Sequence, residues 1–299
     1  MAKVGVVMTL YNAREHIDEA IQSALAQTYT DREILVIDDG STDGSGEVVR
    51  RFGDAVRYEY QPNSGAARAT NRGVALTSGE YIAFLENDDA WLPEKLERQV
   101  AVLDANPDIG AVNCDLRYFS KTSQPLPNII HGYCPSDPHC RLFLKGFNFM
   151  LSALIVRRGV FEATGGFHEG FKAAGLQDVE WYPRLIDATR VHWIPETLTF
   201  FRRHEPRIAS EIVLFNTELL LECLWKRYGH DPWKRRYLIE QKISLLSDRG
   251  KQRLRGGHTE EGRADLKSAL RLAARERAAG KMALRSAMRL MRSYLSPLP

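Results

Sequence analysis

The stretch Tyr81-Ile82-Ala83-Phe84-Leu85-Glu86-Asn87-Asp88-Asp89-Ala90-Trp91 decides the fold class. An apolar run of β-favouring residues, without Gly or Pro, ends in three acids within four residues. Apolar character on both faces predicts a strand buried in a parallel sheet. Carboxylates at the C-terminal end of such a strand stand where α/β sheets bind ligands. Like charges this close repel unless a cation lies among them. Hard oxygen ligands suit Mn²⁺ or Mg²⁺ carrying substrate phosphates. Taken alone, the acids fit equally well a solvated turn that caps the helix starting near Pro93.

The surrounding sequence repeats the pattern. Val4 to Thr9 reads as a first strand ending at Leu10-Tyr11-Asn12, and Ile17, Ala20, Ile21, Ala24 and Leu25 follow at helical spacing. Glu33 to Ile37 is a second buried strand that also ends in acids, Asp38 and Asp39. A helix is predicted from Gly46 to Arg51, a third strand from Val56 to Tyr60, and a helix starting after Asn63-Ser64-Gly65. Strand–helix alternation of this kind predicts a doubly wound, mostly parallel sheet flanked by helices.

Beyond Trp91 the expectations are a helix from Pro93 to Leu103, a strand from Ile109 to Cys114, and a long loop from Lys121 to Cys140. Further on come a strand from Ser152 to Arg158 and a short helix from Val160 to Gly165. The α/β part, residues 1–205, is expected to close at Thr199 to His204, and residues 206–299 form a basic helical extension. Breaks in that extension are placed near Gly229–Pro232, Gly250–Gly257 and Gly280.

Composition sets outer bounds. The 299 residues carry a net charge of +3, with 44% hydrophobic and 26% charged residues, so nothing demands nucleic acid as a partner. The four cysteines, Cys114, Cys134, Cys140 and Cys223, show no metal spacing and are read as reduced, in a cytoplasmic protein. The N-terminal apolar run is too short for a signal peptide, and no stretch approaches the roughly 20 apolar residues of a membrane span. Lys281, Arg285, Arg289 and Arg292 fall at spacings of four, four and three, forming one helical stripe beside Leu284, Met288 and Met291. Such a helix fits docking at the inner face of a membrane, a packed helix with a solvated basic face, or a homo-oligomer contact.

The motifs, in order, resemble the inverting nucleotide-sugar transferases of glycosyltransferase family 2, which have the GT-A fold. They are Val6 to Asn12, Ile34 to Asp43, Asn63 to Asn71, Gly79 to Asp89, Gly165-Gly166-Phe167 and Gln177 to Trp181. The resemblance implies a nucleoside diphosphate-sugar donor, with UDP the leading nucleotide, and a carbohydrate or lipid-linked acceptor in polysaccharide, glycolipid or glycoconjugate synthesis. It places Thr9, Tyr11, Glu15 and Asp39 at the nucleotide, Glu15 one turn into the first helix. Asp38 suits either the ligand or the Gly40-Ser41 turn. Arg68, near a helix N-terminus, suits the diphosphate.

Glu86-Asn87-Asp88 occupies the DxD position, with Glu in place of the first Asp. The family pattern makes Asp88 the more direct ligand of Mn²⁺ or Mg²⁺ and puts Glu86 and Asn87 at the donor. Asp89 suits a helix cap or a supporting group. Asp178 aligns with the catalytic base, Gln177 replacing the acid before it and Glu180 retained. Loss of that acid removes a like charge, so Asp178 is expected to titrate lower than in relatives. His204, in Arg202-Arg203-His204, matches a position that completes the metal sphere in some relatives. Two alternatives remain open: a degenerate sugar-nucleotide binder without catalysis, suggested by Glu86 and Gln177, and a nucleotidyltransferase. The latter would place a Gly-rich loop where Leu10-Tyr11-Asn12 stands.

Overall fold

The computed structural model describes residues 3–119, 125–130, 150–172, 175–202 and 210–275. Two compact units divide it, Met1–Arg207 and Ile208–Pro299.

The first unit opens with four strand–helix repeats: β1 (Val4–Leu10), α1 (Ile17–Leu25), β2 (Arg32–Asp38), α2 (Ser45–Arg50), β3 (Arg57–Tyr60), α3 (Ala66–Leu76) and β4 (Tyr81–Glu86), leading through β5 (Ala90–Trp91) to α4 (Lys95–Ala105). These are followed by β6 (Ile109–Phe119), β7 (Pro125–Ile130), β8 (Ile155–Arg157), α5 (Arg158–Ala163), α6 (Gln177–Ala188) and β9 (Arg190–Arg202). The sheet runs β3-β2-β1-β4-β8-β6-β9-β5, with β7 beside β6. Strands β1 to β4 are parallel, and β8 runs antiparallel between β4 and β6.

Both faces of β4 are buried, as its unbroken apolar run requires. Tyr81, Ala83 and Leu85 join one core with Val6, Met8 and Ile21, while Ile82 and Phe84 join another with Val7, Trp181 and Leu185. The register sets Thr9 beside both Ile37 and Glu86, so the strands ending in Asp38 and Glu86 finish on one edge.

Several expectations change. The loop expected from Lys121 to Cys140 contains β7, which among the described residues pairs with β6 alone, an edge position that tolerates its prolines. The strand expected from Ser152 to Arg158 is a 3₁₀ turn, Leu151–Ala153, followed by the short β8. Ser152 is held off the strand path: its hydroxyl bonds to the Glu86 N–H and to Asp89, and its carbonyl accepts from the Trp91 indole N–H. The helix expected at Val160 starts two residues earlier, at Arg158. Strand β9 starts at Arg190, well before Thr199, and its parallel pairing with β6 is interrupted by bulges.

The second unit contains α7 (Ser210–Tyr228), α8 (Pro232–Arg255) and α9 (Thr259–Arg275). Ile239 and Ile243 of α8 pack on Ala269 and Ala273 of α9. Gly250 lies inside α8, where a Cβ would stand 3.0 Å from the Gly262 carbonyl. It permits a close helix crossing, and the chain break comes only at Gly256-Gly257. Arg249 and Arg253 both pair with the buried Asp265 across that crossing. The basic stripe from Lys281 to Arg292, along with Cys134, Cys140 and His204, lies outside the described residues. No helix among the described residues is long and apolar enough to cross a membrane.

Candidate active site

At the end of β4, one oxygen from each of Glu86, Asp88 and Asp89 lies within 4.8 Å of the others. Burial pushes the Glu86 carboxyl well up, and the charges of Asp89, Asp88 and Asp178 push it further. Asp89 is also pushed up, by burial and by Asp88. The three converging carboxylates, Glu86 and Asp88 half-buried and Asp89 buried, form an oxygen donor set suited to Mn²⁺ or Mg²⁺.

The loop carrying these acids is held rigidly. Asn87 Nδ2 donates to the Thr9 carbonyl at 2.9 Å, tying the loop to the end of β1. Asp89 is buried and accepts from Ser152 Oγ at 2.6 Å and from the Arg202 backbone N–H at 2.9 Å. It is therefore a supporting group and not a helix cap, because α4 begins only at Lys95. The Arg202 guanidinium donates from Nε to the Asp88 carbonyl at 2.8 Å and from Nη2 to Glu19 Oε2 at 2.5 Å, while lying 4.0 Å over the Phe119 ring. The sequence motifs assign no role to Ser152, Glu19 or Arg202.

Asp178 is the second residue of α6. Packing brings this helix to β4: Trp181, fully buried, has its ring centroid 6.3 Å from Phe84, 5.3 Å from Phe161 and 5.1 Å from Phe167. Its indole N–H donates to Thr164 Oγ1 at 2.9 Å. Trp181 is thus the core anchor of the helix, and the Gly165-Gly166-Phe167 turn closes the cluster. Gly166 has φ +63°, and a Cβ there would stand 2.8 Å from Asn71 Oδ1. That space lets Asn71 grip the turn, accepting from the Phe167 N–H and donating to the Phe167 carbonyl, both at 2.9 Å.

The Asp178 carboxyl is pushed up by burial. Oδ1 accepts from the Val179 N–H at 2.8 Å, and Tyr182 Oη lies 3.4 Å from Oδ2. Glu180, the other acid of the motif, is neutralised by a two-pronged Arg184, with contacts of 3.0 and 2.5 Å. Leu176, just ahead of Asp178, sits at φ +67°, strain that costs a bulky residue on the order of 1–3 kcal/mol.

The β2 side of the edge is organised by Asp38 and Asp39. Asp38 holds its turn: Oδ1 accepts from the Ser41 N–H at 2.8 Å and Oδ2 from Tyr58 Oη at 2.7 Å. Asp39 Oδ1 accepts from Gln61 Nε2 at 2.7 Å and the Ser64 N–H at 2.8 Å, and Oδ2 accepts from the Gly65 N–H at 2.9 Å. Asp39 therefore fixes the loop that launches α3. Gly40, at φ +85°, leaves room for this loop, since a Cβ would meet the Asn63 backbone N at 2.8 Å. Thr9 lies at the edge between β2 and β4, and Tyr11 is 52% exposed beyond it. Glu15 is exposed and lies in the turn before α1, not one turn into the helix. Arg68, in the first turn of α3, pairs with Glu169 at 3.0 Å.

The family model for Glycosyl transferase family 2 matches residues 5–165. The chain belongs to glycosyltransferase family 2. A glycosyltransferase of Rickettsia felis is 30% identical over 260 residues, which is 82% of this chain. The chain spans only 40% of the length of that relative. The fold is GT-A: S. aureus TarS in complex with UDP-GlcNAc superimposes with a TM-score of 0.64 at 14% identity, covering 97% of this chain and 92% of TarS. The mannosyltransferase PcManGT of Pyrobaculum calidifontis, in complex with GDP-Man and Mn²⁺, gives 0.56 at 20% identity, covering 98% of this chain and 82% of PcManGT.

Proposed function

We propose that this family 2 glycosyltransferase moves a sugar from a nucleoside diphosphate-sugar to an acceptor hydroxyl with inversion at the anomeric carbon. The observation that carries the proposal is the pairing of two acidic features. Asp178 lies within electrostatic reach of the Glu86–Asp88–Asp89 cluster, while its neighbour Glu180 is already neutralised by Arg184.

In this account Asp178 removes the proton from the acceptor hydroxyl as its oxygen attacks the sugar, on the face opposite the leaving nucleotide. A carboxyl whose pKa is raised by burial is a better base than an ordinary aspartate. Asp88 and Glu86 would hold Mn²⁺ or Mg²⁺, which when bound neutralises the departing diphosphate. Arg68 and the N-terminus of α3 present positive charge to the same diphosphate. Thr9, Tyr11 and Glu15 border the base and ribose. Asp39 reaches them through whatever accepting capacity remains beside its backbone donors. His204 would add a further ligand. The solved relatives with UDP-GlcNAc and with GDP-Man and Mn²⁺ support this donor class, UDP first. The acceptor is taken to be a carbohydrate or lipid-linked hydroxyl, reached from the cytoplasmic side, with the basic stripe after Gly280 docking on anionic lipid.

The test is nucleotide release from a panel of UDP-, GDP- and dTDP-sugars with Mn²⁺. Release confined to one nucleotide class and abolished by chelator is the expected result. Binding of a sugar nucleotide without release or transfer to any acceptor would make the protein a binder.

A further inference from the structure

We infer that Ser152 is a positioning residue for the acidic cluster, setting the spacing between its two ends. The inference rests on the metal-holding role proposed above. Ser152 is fully buried on the 3₁₀ turn that precedes β8. Its hydroxyl accepts from the Glu86 backbone N–H at 3.0 Å and donates to Asp89 Oδ2 at 2.6 Å. A backbone N–H can only donate, so the single hydroxyl proton is directed to the carboxylate. One atom therefore clips the first residue of the acidic loop to the last.

Ser152 is itself held from the other side. Its carbonyl accepts from the Trp91 indole N–H at 2.6 Å, and Trp91 lies beneath the buried Lys95 ammonium, 4.1 Å from the ring centroid. The main chain at Ser152 is thereby fixed by the strand that immediately follows the acidic loop. Asp89, gripped by Ser152 on one oxygen and by the Arg202 N–H on the other, forms the fixed end against which Asp88 is presented. Partners that orient the ligands of a metal commonly change its affinity 10- to 100-fold when removed.

The test uses the full chain and an electron-spin-resonance titration of Mn²⁺ with UDP present, and GDP in a parallel arm. Ser152→Ala removes the clip but leaves all three carboxylates in place. Its Mn²⁺ affinity is expected to fall about 10-fold or more, while UDP affinity in chelator stays within twofold of wild type. Ser152→Cys fills the same space with a weaker donor, so it is expected to fall by an intermediate amount and serves if Ser152→Ala does not fold. Mn²⁺ affinity within twofold of wild type in either folded variant would make Ser152 a packing residue and overturn the inference. A wild-type chain that takes up no Mn²⁺ with either nucleotide would overturn the metal-holding role, and the inference with it.

Discussion

Arg68 Nε donates to Glu169 Oε2 at 3.0 Å, so the arginine expected at the donor diphosphate already has a carboxylate partner. Glu169 also accepts from Asn71 Nδ2 at 3.1 Å, and these two bonds hold its carboxyl below the usual range. Both partners of the ion pair are about half exposed, 58% and 42%, which makes the pair weak and exchangeable. A diphosphate would compete with Glu169 for the guanidinium. Glu169→Gln should therefore raise UDP affinity by up to about fivefold, in line with an exposed pair of up to about 1 kcal/mol. Calorimetric titration checks this, and weaker binding would instead mean that Glu169 touches the donor itself.

Asp38 is predicted to act in stability and not in donor binding. Tyr58→Phe leaves Asp38 Oδ2 without its hydroxyl donor. The expected cost is about 1–2 kcal/mol in chemical denaturation, with UDP affinity unchanged. A large loss of UDP affinity at unchanged stability would return Asp38 to the nucleotide site.

Lys95 supplies a pH test of the core beneath the site. Burial lowers its pKa to about 8 from the usual 10.5, despite a 2.8 Å bond to Gln99 Oε1. Below pH 8 the ammonium is charged in both folded and unfolded chains, so the full desolvation penalty is present. Between pH 8 and 10.5 the unfolded chain binds more protons, and this group's contribution to stability rises. Lys95→Met should be more stable than wild type at pH 7, by up to about 3 kcal/mol, with the gap narrowing above pH 8. Urea unfolding of both proteins at pH 7 and pH 9.5 measures it, and a pH-independent gap would contradict it.

The parallel half of the sheet was legible because each strand carries its own signal. Val4 to Leu10, Glu33 to Asp38 and Tyr81 to Glu86 are apolar on both faces and end in polar residues, which fixes both strand type and the edge where ligands gather. The C-terminal half was harder to read. Strand β9 alternates exposed and buried positions and carries bulges, and β7 carries prolines on a strand that among the described residues pairs on one side only. The candidate residues belong to local motifs, whereas the contacts made by Ser152, Arg202 and Glu169 are not written in any of them. Their roles come from contacts 63, 113 and 101 residues away in sequence, which local pattern does not encode. The motif singles out Asp178, while the burial that raises its pKa is a tertiary property.

Asp88 tests the metal assignment. Asp88→Ala removes one of three converging carboxylates. In wild type, chelation should weaken UDP binding sharply, and the variant should lose both that response and sugar transfer. Equal UDP affinity with and without chelator in the wild type would remove the metal from the account.

The central claim is that Asp178 is the general base, and Asp178→Asn tests it most directly. The amide keeps the shape and the bond from the Val179 N–H but has no basicity. Donor affinity and turnover should be measured on the same preparation. With Asp178 as the base, donor affinity stays within about twofold of wild type and turnover falls roughly 100- to 10,000-fold. Weakened donor binding with near-normal turnover would contradict it and move Asp178 into the donor site.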